Sequence, residues 1–285
     1  MLFRSGDAAN DKTMIRIYQT GGDIHKETAC IVMGVTLEQF NELSKEERDL
    51  ARFKAKAVNF GFIYGMGWRK FIVYAKTQYG VEFSENEAKR IRSAFFRKYK
   101  SLPLWHTAVR DFAAEYGYVR SYDGRIRHLP MVDSDDEGVR AEAGRQAINS
   151  PVQNFASDLG VMSVARLEQE IDPRYLAVVG FVHDAIYALV PEEYLEWGAK
   201  TLKHYMETNP LKEWFDLTLK VPIIADVGFG WSGGDTFEMK GLSQNEMYDF
   251  NALEEAYNVD LDLATQKVPP RAGRRQRREY MEISI

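Results

Sequence analysis

The pattern of polar and apolar positions in the first 120 residues predicts mostly helices. Ser44, with Glu47 three residues later, has the pattern of a capping box and starts a helix that we expect to run to about Tyr64. A second capping box begins at Ser84, and a third helix is expected over residues 104–116. This part of the chain is therefore predicted to be a helical section.

Beyond residue 120, a turn and a long helical pattern come before further β-rich sequence. The Asp123-Gly124 pair is typical of a hairpin turn. Residues 138–171 have a helical pattern that Pro151 should kink or restart, because proline lacks the backbone N–H that a helix interior needs. We also expect a helix over residues 192–207 and a strand over residues 217–228.

Two β-rich segments, residues 176–182 and 185–190, flank a short polar turn made by His183 and Asp184. They predict an antiparallel hairpin, and with the surrounding helices they predict an α+β fold that follows a helical section. The turn presents the Asp184 carboxylate beyond the strands, where a metal ion could reach it. An isolated His-Asp pair in a turn is, however, more often a plain turn.

Composition and charge narrow the class of protein. The chain has 285 residues, of which 45% are hydrophobic and 13% aromatic, so a disordered chain is excluded. Its net charge of −5 means that a nucleic-acid partner would have to meet a local basic surface. Cys30 is the single cysteine, which suggests a reducing compartment. With no apolar run near ~20 residues, we expect no membrane partner and a cytoplasmic location, or the host cytoplasm for a viral protein.

One face of the helix after Ser44 combines cationic and aromatic side chains. Arg52, Lys56, Phe60 and Tyr64 recur every four residues. Each step of four drifts only about 40° on a helix, so the four side chains form a stripe about 18 Å long. A nucleotide suits such a stripe, since phosphates bind cations and a base stacks on an aromatic plane. The alternative is an amphipathic helix whose basic side chains extend to solvent.

The run ARFKAKAVNFGFIYGMG, which carries this stripe, resembles motif B of the family A DNA polymerases, the bacterial DNA polymerase I type. The resemblance extends in order from about residue 11 to 236. The other segments that carry it are GGDIHKETA, GYVRSYDGRIRHLP, RQAINSPVQNFASD, FVHDAIYALVP and VPIIADVGFGWSGGD. The fold that it implies is a right-hand polymerase, with a helical fingers subdomain and an antiparallel-sheet palm, here incomplete.

The resemblance implies roles for the residues of the stripe. Arg52, Lys56 and His25 would hold the triphosphate of a deoxynucleoside triphosphate, and Lys56 would also act as general acid for the leaving pyrophosphate. Phe60 would pack beside the sugar and base and discriminate against a 3′-deoxy sugar. Tyr64 would stack against the template base.

The metal site implied by the resemblance is only partly present. Polymerases of this family use two Mg²⁺ ions held by aspartates, and Asp184 resembles the ligand of motif C. Ala185 stands where motif C usually has a glutamate, which predicts weakened chemistry. Motif A, with the other essential aspartate, is absent, because residues 1–4 resemble the sequence just after it. Asp7 and Asp11 are poor substitutes, since no strand precedes them.

A second polar series is expected to contact the DNA primer-template. Arg145, Asn149 and Gln153 repeat the four-residue spacing, and the resemblance places them near the insertion site, where Asn and Gln can bind minor-groove acceptors. Arg125 and Arg127 flank a turn and would bind template phosphates. Without the resemblance, a solvated helix face would explain the series equally well.

We therefore expect four parts in the chain. They are a palm remnant (1–20), fingers (21–120), palm (121–240) and a C-terminal extension outside the core (241–285). The extension carries a basic cluster that either binds DNA, docks on an acidic partner or has no function: Lys267, Arg271, Arg274, Arg275, Arg277 and Arg278.

Three functions remain open. The first is DNA synthesis by a split or truncated polymerase that needs an N-terminal polypeptide with motif A and the thumb, so that the chain alone is nearly inactive. The second is a fragment of a phage-type single-subunit RNA polymerase. The third is a non-catalytic DNA-binding relic. Phe60, the DIH segment and the pair Asn149 and Gln153 favour DNA synthesis.

Overall fold

A computed structural model describes the backbone of residues 2–230, 237–238 and 280–284, and side chains over residues 4–230. The helices of these residues are α1 (Leu2–Ala8), α2 (Lys12–Gln19), α3 (Ile24–Met33), α4 (Leu37–Glu42), α5 (Lys45–Ile63), α6 (Trp68–Tyr79), α7 (Glu85–Lys98), α8 (Ser101–Tyr116), α9 (Glu137–Glu170), α10 (Leu195–Glu207) and α11 (Leu211–Phe215). The strands are β1 (Tyr118–Arg120), β2 (Ile126–His128), β3 (Ala177–Val182), β4 (Ala185–Pro191), β5 (Gly228–Gly230), β6 (Phe237–Glu238) and β7 (Tyr280–Ser284). Within the described part of the chain, no helix is long and apolar enough to cross a membrane.

The chain forms two compact units. The first comprises residues 1–156 and 211–222, and the second comprises residues 157–210 and 223–285 as far as these are described. The first unit is helical apart from the β1–β2 hairpin, and the second holds an antiparallel sheet. The predicted α+β class is therefore confirmed.

The predicted capping box of α5 is present. The Ser44 backbone N–H donates to Glu47 Oε2 over 2.9 Å, and the Glu47 N–H donates to Ser44 Oγ over 3.2 Å. The helix ends at Tyr64, its C-cap, as the sequence predicts. These local bonds satisfy N–H groups that have no partner inside the helix, so the sequence alone sufficed to place this boundary.

The same helix buries one face in the first unit. Four residues spaced to share one face of the helix are buried: Ala51, Ala55, Val58 and Phe62. The residues of the stripe that begins at Arg52 lie on another side of the helix. The adjoining core is rich in aromatic rings, and the centroids of Phe62 and of the buried Phe71 on α6 lie 4.5 Å apart. Packing therefore fixes the rotation of α5 about its axis.

Helix α9 does not stop at Pro151. It runs unbroken from Glu137 to Glu170, so of the two outcomes expected at Pro151, a kink or a restart, the restart does not occur. Ile148, Val152 and Phe155 are buried on either side of the proline. Their packing outweighs the hydrogen bond that the missing proline N–H cannot make.

The β1–β2 hairpin and the β3–β4 hairpin are both confirmed. In the first, Gly124 has φ +90°, a conformation that glycine adopts readily. In the second, alternate residues of β4 point into the core of the second unit, where Ile186, Ala188 and Val190 are buried. Leu202 of α10 belongs to the same core.

The five-stranded sheet of the second unit has the order β3-β4-β7-β5-β6. Strand β7 is antiparallel to both of its neighbours, with Ser284 opposite Tyr187 on one side and Gly228 on the other. The expectation that the chain after residue 240 stays outside the core is therefore wrong for residues 280–284. Sequence pattern missed this strand because it is short and follows charged stretches. The predicted basic cluster lies outside the described residues.

The strand expected over residues 217–228 is also wrong, since only Gly228 falls in a strand, β5. In the first unit, side chains form the hydrogen bonds with the backbone of Val221 and Pro222 that a neighbouring strand would otherwise form. Arg4 donates to the carbonyls of Val221 and Pro222 over 2.7 and 3.0 Å, and Asp7 accepts from the Val221 N–H over 3.2 Å. Backbone polar groups satisfied in this way need no neighbouring strand.

Candidate nucleotide-binding site and hairpin carboxylate

The predicted stripe lies on a single helix, α5. Arg52 and Lys56 are exposed, while Phe60 and Tyr64 are half-buried. Two cations and two aromatic rings therefore follow one another along the accessible side of a helix whose opposite face is fixed by the core. Such a surface offers charge to phosphates and a flat apolar surface to a sugar or base.

The first turn of α3 brings His25 to this stripe. The rings of His25 and Phe60 have centroids 6.4 Å apart and are tilted by 35°. Asp23, the N-cap of α3, accepts hydrogen bonds from the His25 N–H over 2.8 Å and from Arg52 Nη2 over 2.5 Å. The structure thus brings His25 to Arg52 and Phe60, which follow it in the sequence by 27 and 35 positions.

Two residues that sequence reasoning missed form a chain of hydrogen bonds to the His25 ring. Asn59 Nδ2 lies 2.9 Å from His25 Nδ1, and Thr28 Oγ1 donates to Asn59 Oδ1 over 2.8 Å. Both Asn59 and Thr28 are fully buried. Asn59 directly precedes Phe60 in the motif B run, but no periodicity marks it, because its importance depends on the packing of α3 against α5.

The pKa of His25 lies below its ordinary value. Burial lowers it most, the charges of Lys56 and Arg52 lower it further, and Asp23 opposes them. The imidazole is therefore held mainly neutral at pH 7, so it offers one N–H rather than two.

The C-terminal end of α5, beside Tyr64, is held by α8. His106 Nε2 donates to the Ile63 carbonyl over 2.7 Å, and Arg110 Nη2 donates to the Gly65 carbonyl over 3.3 Å. Burial lowers the pKa of His106 to about 4, so this buried ring is neutral. Burial raises the pKa of Tyr64 to about 12, and its hydroxyl is buried without a hydrogen-bond partner.

The β3–β4 hairpin presents His183 and Asp184 at its tip, as predicted. Val182 pairs with Ala185, so the two residues form the whole turn, and His183 takes the left-handed conformation with φ +59°. Both turn side chains are exposed. Among the residues that the structure describes, no group of three or more His, Cys, Asp or Glu could hold a metal ion. Asp184 alone does not form a two-Mg²⁺ site.

Asp7 and Asp11, the two other aspartates considered as metal ligands, are both used by the fold. Asp7 pairs with the buried Arg4 over 3.1 Å. Asp11 caps α2 through its Oδ1 and accepts the Ser101 N–H at its Oδ2 over 2.9 Å. Both carboxylates are buried and serve the packing of the first unit.

The predicted DNA-contacting series lies on α9 in the first unit. Arg145 is bound to Glu142, with its Nε 3.0 Å from Glu142 Oε2. Gln153 is exposed, and the buried Oδ1 of Asn149 has no hydrogen-bond partner. The carboxamide oxygen of Asn149 is therefore not used by the fold.

The two turn arginines lie beside the same series. Arg127 on β2 donates to Gln146 Oε1 over 3.3 Å, and Gln146 shares a face of α9 with Asn149 and Gln153. Arg125 is exposed in the β1–β2 turn, where its carbonyl accepts the Ser121 N–H over 2.9 Å. The bond between Arg127 and Gln146 therefore connects the β1–β2 hairpin to α9.

Comparison with known proteins accords with this geometry. Residues 6–235 match the profile of DNA polymerase family A, so the chain belongs to that family. It is 28% identical over 254 residues to a DNA polymerase of Bacillus phage SP01 and 31% identical over 206 residues to DNA polymerase I of Aquifex aeolicus. These alignments cover 87% and 72% of this chain.

A solved structure has the same fold. The POL domain of Pol1 from M. smegmatis, in complex with DNA primer-template and dNTP, superposes with a TM-score of 0.64 at 25% identity. The match covers 78% of this chain and 36% of that one. The chain spans 27% of the phage polymerase and 33% of the Aquifex enzyme, about a quarter to a third of these relatives.

Proposed function

We propose that this chain carries out template-directed DNA synthesis as the C-terminal fingers (21–120) and palm (121–240) part of a split or truncated family A polymerase. The observation that carries the proposal is the meeting of His25 with Arg52 and Phe60 where α3 packs on α5. The proposed place of action is the cytoplasm, or the host cytoplasm for a viral protein.

The substrates in this proposal are a DNA primer-template and deoxynucleoside triphosphates. The structural relative was solved with both, and the other relatives described above are DNA polymerases, which favours DNA synthesis over RNA synthesis. A triphosphate also matches the exposed cations of α5, because phosphate oxygens form short, charge-assisted hydrogen bonds with Lys and Arg.

In the proposed site, Arg52, Lys56 and a neutral His25 hold the triphosphate. Lys56 also donates a proton to the leaving pyrophosphate, since its ammonium is exposed and follows Arg52 by one turn. Phe60 packs beside the sugar, and Tyr64 stacks on the template base at the end of the helix. Catalysis by such a site consists mainly of positioning and of cationic stabilisation.

The primer-template would lie against α9 and the β1–β2 turn. Asn149 and Gln153 would bind minor-groove acceptors, and Arg145 would leave Glu142 for the DNA backbone. Arg125 and Arg127 would bind template phosphates. The exposed side chain of Gln153 supports this placement, because its carboxamide N–H groups are accessible to donate to such acceptors.

Asp184 is the proposed contribution of this chain to a two-Mg²⁺ site. Two such ions need several oxygen ligands, and the described residues bring one carboxylate to the hairpin tip. We therefore propose that the second essential carboxylate comes from an N-terminal polymerase polypeptide that carries motif A and the thumb. The Asp184 side chain is exposed, which leaves space beside it for the metal ions and for that second carboxylate.

A non-catalytic DNA-binding role is the second candidate. The specific observation in its favour is Ala185, which stands beside Asp184 in place of the usual glutamate. Under this alternative, the α9 surface would bind DNA, while the hairpin would have no catalytic role.

Nucleotide binding by the full chain tests the part of the proposal that depends on its own residues. By calorimetry, Lys56→Ala should weaken binding of a deoxynucleoside triphosphate about 10- to 100-fold, the effect of one charge-assisted hydrogen bond. Lys54→Ala, on another face of α5, is the matched control and should change binding less than about twofold. Equal affinity of both variants would contradict the site, and primer extension with a complementing polypeptide tests synthesis itself.

A further inference from the structure

Asn59 occupies an unusual position on α5. It is a polar residue on the buried side of the helix, one position before Phe60, and its side chain is not exposed at all. A buried carboxamide must have partners for both its oxygen and its nitrogen. It finds them on α3: Thr28 Oγ1 at 2.8 Å from its oxygen and His25 Nδ1 at 2.9 Å from its nitrogen.

The structure turns the Asn59 oxygen toward Thr28 and the Asn59 nitrogen toward His25, and this orientation sets the direction of each bond. A carboxamide oxygen only accepts, so the Thr28 hydroxyl donates to Asn59 Oδ1. A carboxamide nitrogen only donates, so His25 Nδ1 accepts and carries no proton. In a neutral imidazole the single proton must then sit on Nε2, which is the ring nitrogen left for a ligand.

The protonation state of His25 makes this tautomer important. Burial and the nearby Lys56 and Arg52 keep the pKa of the ring low, with Asp23 acting against them. A neutral ring with its proton on Nε2 donates a hydrogen bond to a phosphate oxygen. The other tautomer would present a lone pair to that oxygen and repel it.

We propose that Asn59, held by Thr28, is a positioning residue that fixes His25 as the Nε2–H tautomer, so that His25 donates to a triphosphate oxygen. The inference deepens the proposed role of His25 in nucleotide binding and rests on it. Asn59 does not touch the nucleotide itself, and it acts through the ring that it orients.

Histidine ¹⁵N NMR of the full chain tests this directly, with the signals of His25 assigned by comparison with His25→Gln. In the free protein we expect the Nε2–H tautomer to predominate, because the Asn59 nitrogen faces His25 Nδ1 and the other tautomer would require the carboxamide to turn over. Predominance of the Nδ1–H form would overturn the inference, whether or not the chain binds nucleotide.

A matched pair of variants at Thr28 distinguishes the effect of its hydroxyl from the effect of its packing. Thr28→Val removes the hydroxyl with little change of shape and should let the Asn59 carboxamide rotate, so that the two tautomers mix. Thr28→Ser keeps the hydroxyl and should retain the tautomer. An unchanged ratio of the two tautomers in Thr28→Val would contradict the proposed role of Thr28 and Asn59. If a variant does not fold, the spectrum of the wild-type chain still decides which tautomer is present.

Nucleotide affinity then distinguishes this inference from the proposed function. If both are correct, Thr28→Val should bind deoxynucleoside triphosphate several-fold more weakly than Thr28→Ser. If the Nε2–H tautomer is found but nucleotide does not bind even to the wild-type chain, the proposed function fails while the assignment of the tautomer stands.

Discussion

Arg52 Nη2 lies 2.5 Å from Asp23 Oδ2, so the first cation of the α5 stripe is bound to the residue that caps α3. This pair orders Arg52 close to His25. It also places a carboxylate beside a site that we propose to bind a triphosphate. The Arg52 side chain is 44% exposed, so the pair is weak enough for a polyanion to compete for the guanidinium.

We expect Asp23→Asn to strengthen triphosphate binding about two- to fivefold. The variant removes a negative charge, worth up to about 1 kcal/mol at a partly exposed site, and asparagine can still cap α3. Asp111→Asn, an exposed change of equal charge on α8, is the control and should have no such effect. Weaker binding by Asp23→Asn in calorimetry would show that the ion pair positions Arg52 more than it competes with the ligand.

Phe60→Tyr should make dideoxynucleotides better substrates in a complemented polymerase, by about tenfold or more. The phenol would supply a hydroxyl near the sugar, where a dideoxynucleotide lacks its own and leaves a hydrogen bond unmade. Phe53→Tyr, at an exposed position of the same helix, is the matched control. The measurement is the ratio of kcat/KM for deoxy and dideoxy substrates, and an unchanged ratio would contradict the position of Phe60.

His106 makes the fold sensitive to acid. Its pKa is lowered from 6.5 to about 4 by burial, so the unfolded chain binds this proton more readily than the folded chain does. The stability due to the neutral ring is complete above about pH 6.5 and is lost as the pH falls toward 4. The loss should reach about 3 kcal/mol.

Denaturant unfolding at pH 7 and pH 4 measures this contribution. His106→Gln keeps a donor for the Ile63 carbonyl without a titrating group, so its free energy of unfolding should fall about 3 kcal/mol less than that of the wild-type chain. His128→Gln, at an exposed position, serves as the control. Parallel losses in all three proteins would show that His106 is not held neutral by the fold.

The parts of the fold that follow from local chemistry were predictable from the sequence. The capping box of Ser44 and Glu47 set the start of α5, and the four-residue spacing that ends at Tyr64 set its stripe. The β3–β4 hairpin also followed, because its apolar arms and its polar turn lie side by side in the sequence. In each case the deciding interactions join residues that are close along the chain.

Interactions between distant residues account for what the sequence did not predict. Asn59 and Thr28 are 31 positions apart, and Arg4 bonds the backbone of Val221 across 217 positions. Strand β7 is five residues long, and its place between β4 and β5 depends on partners that no local pattern identifies. Such contacts are fixed by tertiary packing.

The most direct test of the account is primer extension by the full chain mixed with a family A polypeptide that supplies motif A and the thumb. In Mg²⁺, the mixture should extend a labelled primer in the order set by the template, while the chain alone and the mixture with Asp184→Ala should remain at background. Ala185→Glu, next to the ligand, should extend at an equal or higher rate. Extension that persists with Asp184→Ala, or robust synthesis by the chain alone, would contradict the assignment of Asp184 and the need for a second carboxylate.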